Sequence, residues 1–532
     1  MMRHLSALLL PAIALLAGQP GGGVEGRVTS GLNGQSLKRA YVVLRGLSSG
    51  TDAAPAETYV CQTGADGRFS VADVAPGRYE AEASHDGFQA KPPDRAASPV
   101  YFPQFTVEAG GHVTGIDLHL TPLGMLAGAI TSDAGDAVAN TVVEAMQNRY
   151  SAGRKVLTRV QQVQTDDRGE YRFSGLPPGR YYLRASNSNQ DPPIAGGIDT
   201  RGPARTRIYM PAYYPAAQDA SQAVALDVAP AAEMEHVDFR IRRVFVYSIR
   251  GTAPADADPM LARASFGYAS AARSGENHEG FELYGIPPGI YAIRVSKTDP
   301  ATRRSTLFAF RRVEIGDQDI EGLDLTRPTG REISGTVQLD GAAGPLESLR
   351  VLLQPEEAGA GTQTDCPVNP DGSFTITGQP DAYVIRVQAP AGAYLKSVRV
   401  GERERPNQRL NPGSDSGKLS LVVAGDAGRI EGSVTGADGK AIARATVTLI
   451  PDQSLPFWTD LAKTGTTGAT GSFILTGVVP GAYKLYAWTD VEVGAPQDAD
   501  FRKPFESQAL AVQVDPSGSI SVKLTAIDPG AK

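Results

Sequence analysis

Gly169-Glu-Tyr-Arg-Phe-Ser-Gly-Leu-Pro-Pro-Gly-Arg-Tyr-Tyr-Leu-Arg-Ala185 returns in four variants along the chain: Gly67 to Ala83, Glu279 to Val295, Gly372 to Val387 and Gly471 to Ala487. Each copy reads as an alternating strand with Phe or Tyr and an aliphatic, a Pro/Gly turn, and a second alternating strand opened by a tyrosine. Those tyrosines are Tyr79, Tyr181, Tyr291, Tyr383 and Tyr483. Their spacing is too long for a solenoid repeat and suits a self-contained domain of about 100 residues. Parity puts Tyr181, Leu183 and Ala185 on one face and Tyr182, Arg184 and Ser186 on the other, so one face is core and one is solvent.

Outward from that stretch, a first strand with a central glycine recurs at Gly26, Gly128, Gly251, Gly335 and Gly432, the pattern of close backbone approach or a bulge. A turn before each aromatic strand, as in Thr63-Gly-Ala-Asp-Gly67, supplies the positive φ of a hairpin. Closing strands such as Gly115-Ile-Asp-Leu-His-Leu120 run almost directly into the next opening strand. The expected architecture is all-β: about five tandem antiparallel β-sandwich modules forming an elongated rod. The expected bounds are a leader at 1–22 and modules at 23–122, 123–243, 244–329, 330–426 and 427–532.

The 532 residues include 59 Gly and 38 Pro, with 41% hydrophobic and 20% charged, which suits many short strands and turns. A formal charge of -7 gives no pull on polyanions, so nucleic acid is not an expected partner. Met1 to His4 is a short basic start and Leu5 to Leu16 an apolar run broken by Pro11, the pattern of a Sec export signal. That run is shorter than the roughly 20 residues needed to span a bilayer, and none later is longer. Gln19 stands where a lipoprotein signal has its cysteine. A periplasmic, cell-surface or extracellular location is expected. Cys61 and Cys366 each sit eight residues before the first aromatic, where Val163 stands in the second copy, and read as small buried hydrophobes.

The glycine-centred opening strands, the Thr-x-x-x-Gly-x-Phe turn and the Leu-Pro-Pro-Gly-x-Tyr corner resemble the carboxypeptidase regulatory-like domain, a prealbumin-like (transthyretin-like) sandwich. Copies one, two and five match best; copy three has Glu279 for the turn glycine, and copy four has the shorter Gly378-Gln-Pro-Asp-Ala-Tyr383. The resemblance implies a non-catalytic module that accompanies a zinc peptidase domain or serves as an extracellular spacer or binding module, in a group of folds that includes starch binders.

Nothing in the sequence supplies the peptidase. The six histidines, His4, His85, His112, His119, His236 and His278, fall in no His-Glu-x-x-His or His-x-x-Glu spacing. Gly46-Leu-Ser-Ser-Gly50 fits a nucleophile elbow formally, but Thr51 to Glu57 with Pro55 is not helix-forming. Asp166-Asp167, Asp256/Asp258, Asp317/Asp319 and Asp498/Asp500 lack a full calcium loop and read as solvated turn acids. No catalytic residue, metal or cofactor is expected. The Lys-Asn crosslink of Cna-B-type adhesins is not expected either, because their Glu-bearing continuation is absent.

One positive signal is aromatic. Tyr486 and Trp488 fall opposite the core set of the fifth copy, and with Trp458 they form a candidate strip for stacking sugar rings. The opposing reading is that the loop from about Val491 to Ser507 covers the strip. Tyr101 and Phe102 in copy one, and Tyr213 and Tyr214 in the long loop of copy two, are the assisting candidates. Two functions stay open: an exported spacer or protein-binding array, and a glycan-binding protein.

Overall fold

The computed structural model describes residues 20–47, 57–90, 102–151, 153–187, 207–263, 267–270, 272–274, 279–298, 300–301, 303, 305–341, 344–356, 363–379, 382–452 and 461–530. The chain divides into two compact units: residues 1–126 with 173–180 and 227–235, and residues 127–172 with 181–226 and 236–532. Almost all regular structure is strand.

In the first unit, one sheet of module 1 orders Arg68–Val74, Gly22–Ser30, His112–Pro122 and Phe88–Gln89, and the other orders Thr58–Gln62, Tyr41–Gly46, Gly77–Ser84 and Gln104–Val107. Val28, Val42, Leu44, Phe69, Tyr79 and Leu120 fill the core between them. The aromatic strand and the tyrosine strand therefore lie in different sheets, and the Pro/Gly turn is a corner between layers. The glycine turn before the aromatic strand also crosses between sheets. This corrects the hairpin reading: Gly67, at φ 76°, packs on the opening strand, accepting a 2.8 Å bond from the Val28 N–H.

The same two-sheet plan organises the modules of the second unit. In module 4 the sheets are built on Arg331–Asp340 with Leu419–Ala424, and on Arg350–Pro355 with Tyr383–Gln388. In module 5 the corresponding pairs are Gly428–Thr435 with Ser519–Thr525, and Thr446–Pro451 with Gly481–Trp488.

Opening and closing strands pair in parallel in every module: Gly26 opposite Ile116, Ile130 opposite Phe239, Gly251 opposite Leu323, Gly335 opposite Leu419 and Gly432 opposite Val522. The ladders that join the aromatic strands to the opening strands in modules 1, 4 and 5, and the tyrosine strands to the second strands there, are antiparallel, and a second short parallel pair joins Glu233 to Met125. The central glycine makes this pairing possible. A Cβ at Gly26 would lie 2.1 Å from the Ile116 carbonyl oxygen, and one at Gly128 2.1 Å from that of Val237. No side chain fits at that distance.

All five corner tyrosines are buried, between 0% and 3% exposed, which agrees with the parity read from the sequence. Four of their hydroxyls are bonded within the corner. Tyr79 donates to the Ala75 carbonyl at 2.9 Å, Tyr291 to Pro287 at 2.8 Å and Tyr483 to Val479 at 2.7 Å. In the shortened fourth corner the direction reverses, and the Tyr383 hydroxyl accepts from the Gln379 N–H at 3.1 Å. Cys61 is half-buried, Cys366 buried, and both are free thiols raised in pKa chiefly by burial.

Candidate functional site

Module 2 carries the most developed surface feature, and cross-strand register builds it. Tyr181, Leu183 and Ala185 point into the core, so Tyr182 and Arg184 face outward. Arg184 pairs across to Glu144 on Val142–Ser151 and to Tyr213 on the edge strand Ala212–Tyr213. Tyr182 pairs with Met146, and Asn148 lies opposite Leu157 on Arg154–Gln164. These side chains make two adjoining rows on one sheet face.

The rows are held by charge. Glu144 bonds the Arg184 guanidinium at 2.7 Å and that of Arg159 at 3.3 Å. Its side chain is only 13% exposed and that of Arg184 18%, so salt screens this pair less than an open surface pair. The Asn148 amide sits 3.5 Å from the Tyr182 hydroxyl.

A compact segment rises beside this floor. Tyr213 and Ala217 exchange backbone bonds at 2.7 and 2.8 Å, the Tyr214-Pro215 bond is cis, and Ala220–Gln222 forms a 3-10 turn. Asp219 caps that turn, accepting from the Ser221 N–H at 2.8 Å, and this bond lowers its pKa. Between floor and segment lies a groove of about 700 Å³ lined by Tyr182, Arg184, Glu144, Asn148, Lys155 and Tyr213, among others. Tyr213 thus joins the groove, while Tyr214 turns away, its ring edge-on to Phe239 at 6.0 Å.

The fifth module requires a correction. Tyr486 and Trp488 are 1% and 0% exposed, so the aromatic strip is not open to ligand. The segment that follows folds over it, with 3-10 turns at Ala495–Gln497 and Lys503–Gln508 flanking a short helix, Ala499–Arg502, capped by Asp498. Trp488 stacks on Tyr486 at 5.4 Å and meets Phe501 at 5.5 Å and Phe505 at 5.3 Å. The apolar content of that loop is the reason: Val491, Ala495, Phe501 and Phe505 give it a face of its own, and sheet and loop form a second small core. Trp458, Tyr101, Ser48 and His278 lie outside the described residues.

Three of the turn acids accept backbone N–H groups. Asp166 accepts from the Arg168 and Glu170 N–H groups, Asp319 from Ser248, and Asp498 from Asp500. Among the described residues no group of three or more His, Cys, Asp or Glu side chains is arranged to hold a metal, and no helix is long and apolar enough to cross a membrane.

The threonine that opens the turn motif has a role its sequence does not state. Thr63, Thr165 and Thr467 each stand six residues before the first aromatic. Each hydroxyl accepts the first N–H of the second-strand segment (Ala40, Thr141, Ala445) at 2.8–2.9 Å and donates to the carbonyl three residues earlier (Leu37, Val138, Ile442). Its recurrence at fixed spacing was the available signal. In module 4 the place is taken by buried Val368.

Tandem prealbumin-like sandwiches are the class that this plan defines. The carboxypeptidase regulatory-like domain family matches residues 23–121, 125–218 and 429–524, more than half of the chain, and the chain belongs to that family. The matched stretches are those that keep the buried threonine. No curated protein matches the chain in sequence. Among solved structures it is similar to GBS52, the minor pilin of Streptococcus agalactiae, at 15% identity over 42% of this chain and 97% of the pilin, with a TM-score of 0.24. It is also similar to BcpA, the major pilin subunit of Bacillus cereus, at 9% identity over 95% and 98% of the two chains, with a TM-score of 0.15. The shaft pilin SpaA of Lactobacillus rhamnosus GG follows at 10% identity over 42% and 97%, with a TM-score of 0.21. Identities and scores this low carry no functional inference.

Proposed function

We propose that the protein is a non-catalytic, exported array of modules that spaces and presents binding surfaces outside the cytoplasm. The observation that carries this reading is the parallel pairing of first and last strands in each module. Parallel strands start at the same end of a sheet. The chain therefore enters each module at one end and leaves at the other, the connectivity a series of modules needs.

Pinned connections support the same reading in the second unit. Between modules 3 and 4 the Thr329 hydroxyl donates to the Gln379 side-chain oxygen at 2.5 Å, and the Gln379 amide donates to the Leu307 carbonyl at 3.2 Å. Between modules 4 and 5, Asp426 accepts from the Tyr394 hydroxyl at 2.9 Å on its carboxylate and from the Ser517 N–H at 2.6 Å on its carbonyl. Both partners hold the linker that joins Leu419–Ala424 to Gly428–Thr435.

The test is limited proteolysis and small-angle scattering of the mature chain beside the variant Tyr394→Phe/Gln379→Ala. The array reading expects cleavage at these linkers, and a broader distance distribution, only in the variant. Cleavage between modules 4 and 5 at equal rates in both proteins would sink the pinned array. Turnover by the purified chain in a panel of peptide, ester and glycoside substrates would sink the non-catalytic part.

A further inference from the structure

We propose that the groove of module 2 is an oligosaccharide-binding site. This goes beyond the array reading and does not depend on it. The two inner strands of the floor, Val142–Ser151 and Gly179–Ser186, lie between partners in the order Arg154–Gln164, Val142–Ser151, Gly179–Ser186, Ala212–Tyr213, so a ligand over them meets side chains, not a free strand edge. Recognition by strand addition is thereby disfavoured at this face.

The side chains present suit sugar rings. Tyr182 and Tyr213 offer flat apolar area against the apolar face of a ring and hydroxyls at its edge. The Glu144–Arg184 pair is a planar acceptor beside a planar donor fork, locked at 2.7 Å on rigid strands, the geometry that addresses two neighbouring hydroxyl groups at once. Asn148 adds an amide, and Ser221 a hydroxyl from the far wall. Arg159 and Arg184 offset the Glu144 carboxylate, so the floor does not repel a ligand by uncompensated negative charge. The volume of about 700 Å³ falls in the roughly 300–1,000 Å³ range of small-ligand sites.

The wall opposite Tyr213 is steadied from outside the module. Lys155, Val156 and Leu157 line the groove from the strand Arg154–Gln164. The end of the same hairpin rests on module 5: the Tyr150 N–H donates to the Glu492 carboxylate at 3.1 Å, and the Tyr150 ring meets Phe501 edge-on at 6.0 Å. A groove wall held at both root and tip is pre-organised for a ligand.

The experiment is calorimetric titration of the full mature chain with maltopentaose, cellopentaose, xylopentaose, chitopentaose and pentagalacturonate, with Tyr182→Ala, Tyr213→Ala and Tyr182→Phe beside it. The expected result is binding of at least one pentamer, weakened about tenfold or more by each alanine variant and largely kept by Tyr182→Phe, with thermal midpoints unchanged. No heat from any pentamer at millimolar concentration overturns the proposal. So does binding that both alanine variants leave intact. Linker proteolysis reads the array separately, so either idea can fail alone.

Discussion

The backbone N–H of Tyr150 donates to the Glu492 carboxylate at 3.1 Å across 342 positions of sequence. Modules 2 and 5 are not neighbours in the chain, yet the hairpin of one lies on the loop that covers Trp488 in the other, a contact that the rod of sequential modules expected from the sequence does not make. Backbone closeness supports the contact, since a Cβ at Gly153 would stand 3.0 Å from that of Gln497. Glu492→Ala removes one charge-assisted bond, worth about 1 kcal/mol net at a half-buried site. Hydrogen exchange read by mass spectrometry is expected to quicken by roughly fivefold in peptides covering Tyr150 and to stay unchanged in module 1. Equal exchange at Tyr150 in both proteins would show that the contact does not persist in solution.

Trp488 separates a covered aromatic core from an open ligand platform. The chain has two tryptophans, so Trp458→Phe leaves Trp488 as the sole indole to be excited selectively. At 0% exposure, stacked on Tyr486, it is expected to emit at short wavelength and to resist iodide quenching. Trp488→Ala opens a cavity in the small core of Ile450, Tyr486 and Val491 and is expected to cost about 3–5 kcal/mol of module 5 stability in a denaturant titration. Long-wavelength, readily quenched emission would return the strip to the surface.

The glycine of the opening strand is tested by two alanines in one module. Gly26→Ala places its Cβ 2.1 Å from the Ile116 carbonyl oxygen and 2.6 Å from the Phe69 ring, while Gly31→Ala meets nothing nearer than 3.6 Å. The expected cost is about 1–3 kcal/mol or more for the first and close to none for the second, read as thermal midpoints. Equal midpoints would remove the close-approach account of the repeated glycine.

Local pattern revealed more here than long-range pattern. Alternation along Tyr181 to Ala185 marks which face is core, because the side-chain period of a strand is two and one face is buried. The glycine at position 128 marks close approach but not its partner, since the Val237 carbonyl that fills the space comes from the segment just before the strand Phe239–Ile241, more than a hundred residues away. Parallel first and last strands were hidden for the same reason. Trp488 misled because strand parity assigns a face to the outside of the sheet, and only the apolar residues Val491 to Phe505 tell that a second layer covers it. The groove on module 2 needed register. Glu144 and Arg184 are 40 positions apart, and nothing local in either strand announces their bond.

Buried corner tyrosines give the protein an alkaline limit. Burial pushes Tyr79, Tyr181 and Tyr483 up to about 12 from an ordinary value of 10.0. Folding therefore favours the neutral phenol. Its contribution is fully present below pH 10, the unfolded value, and is lost as pH rises through about 12, because the unfolded chain releases these protons first. Stability measured by denaturant midpoint is expected to hold to about pH 10 and then fall. Tyr483→Phe is expected to lower stability at pH 8 by about 1 kcal/mol, since the Val479 carbonyl loses its 2.7 Å donor. The same variant flattens the alkaline decline of module 5, having no proton to lose there. A decline of unchanged steepness in Tyr483→Phe would assign it to other groups.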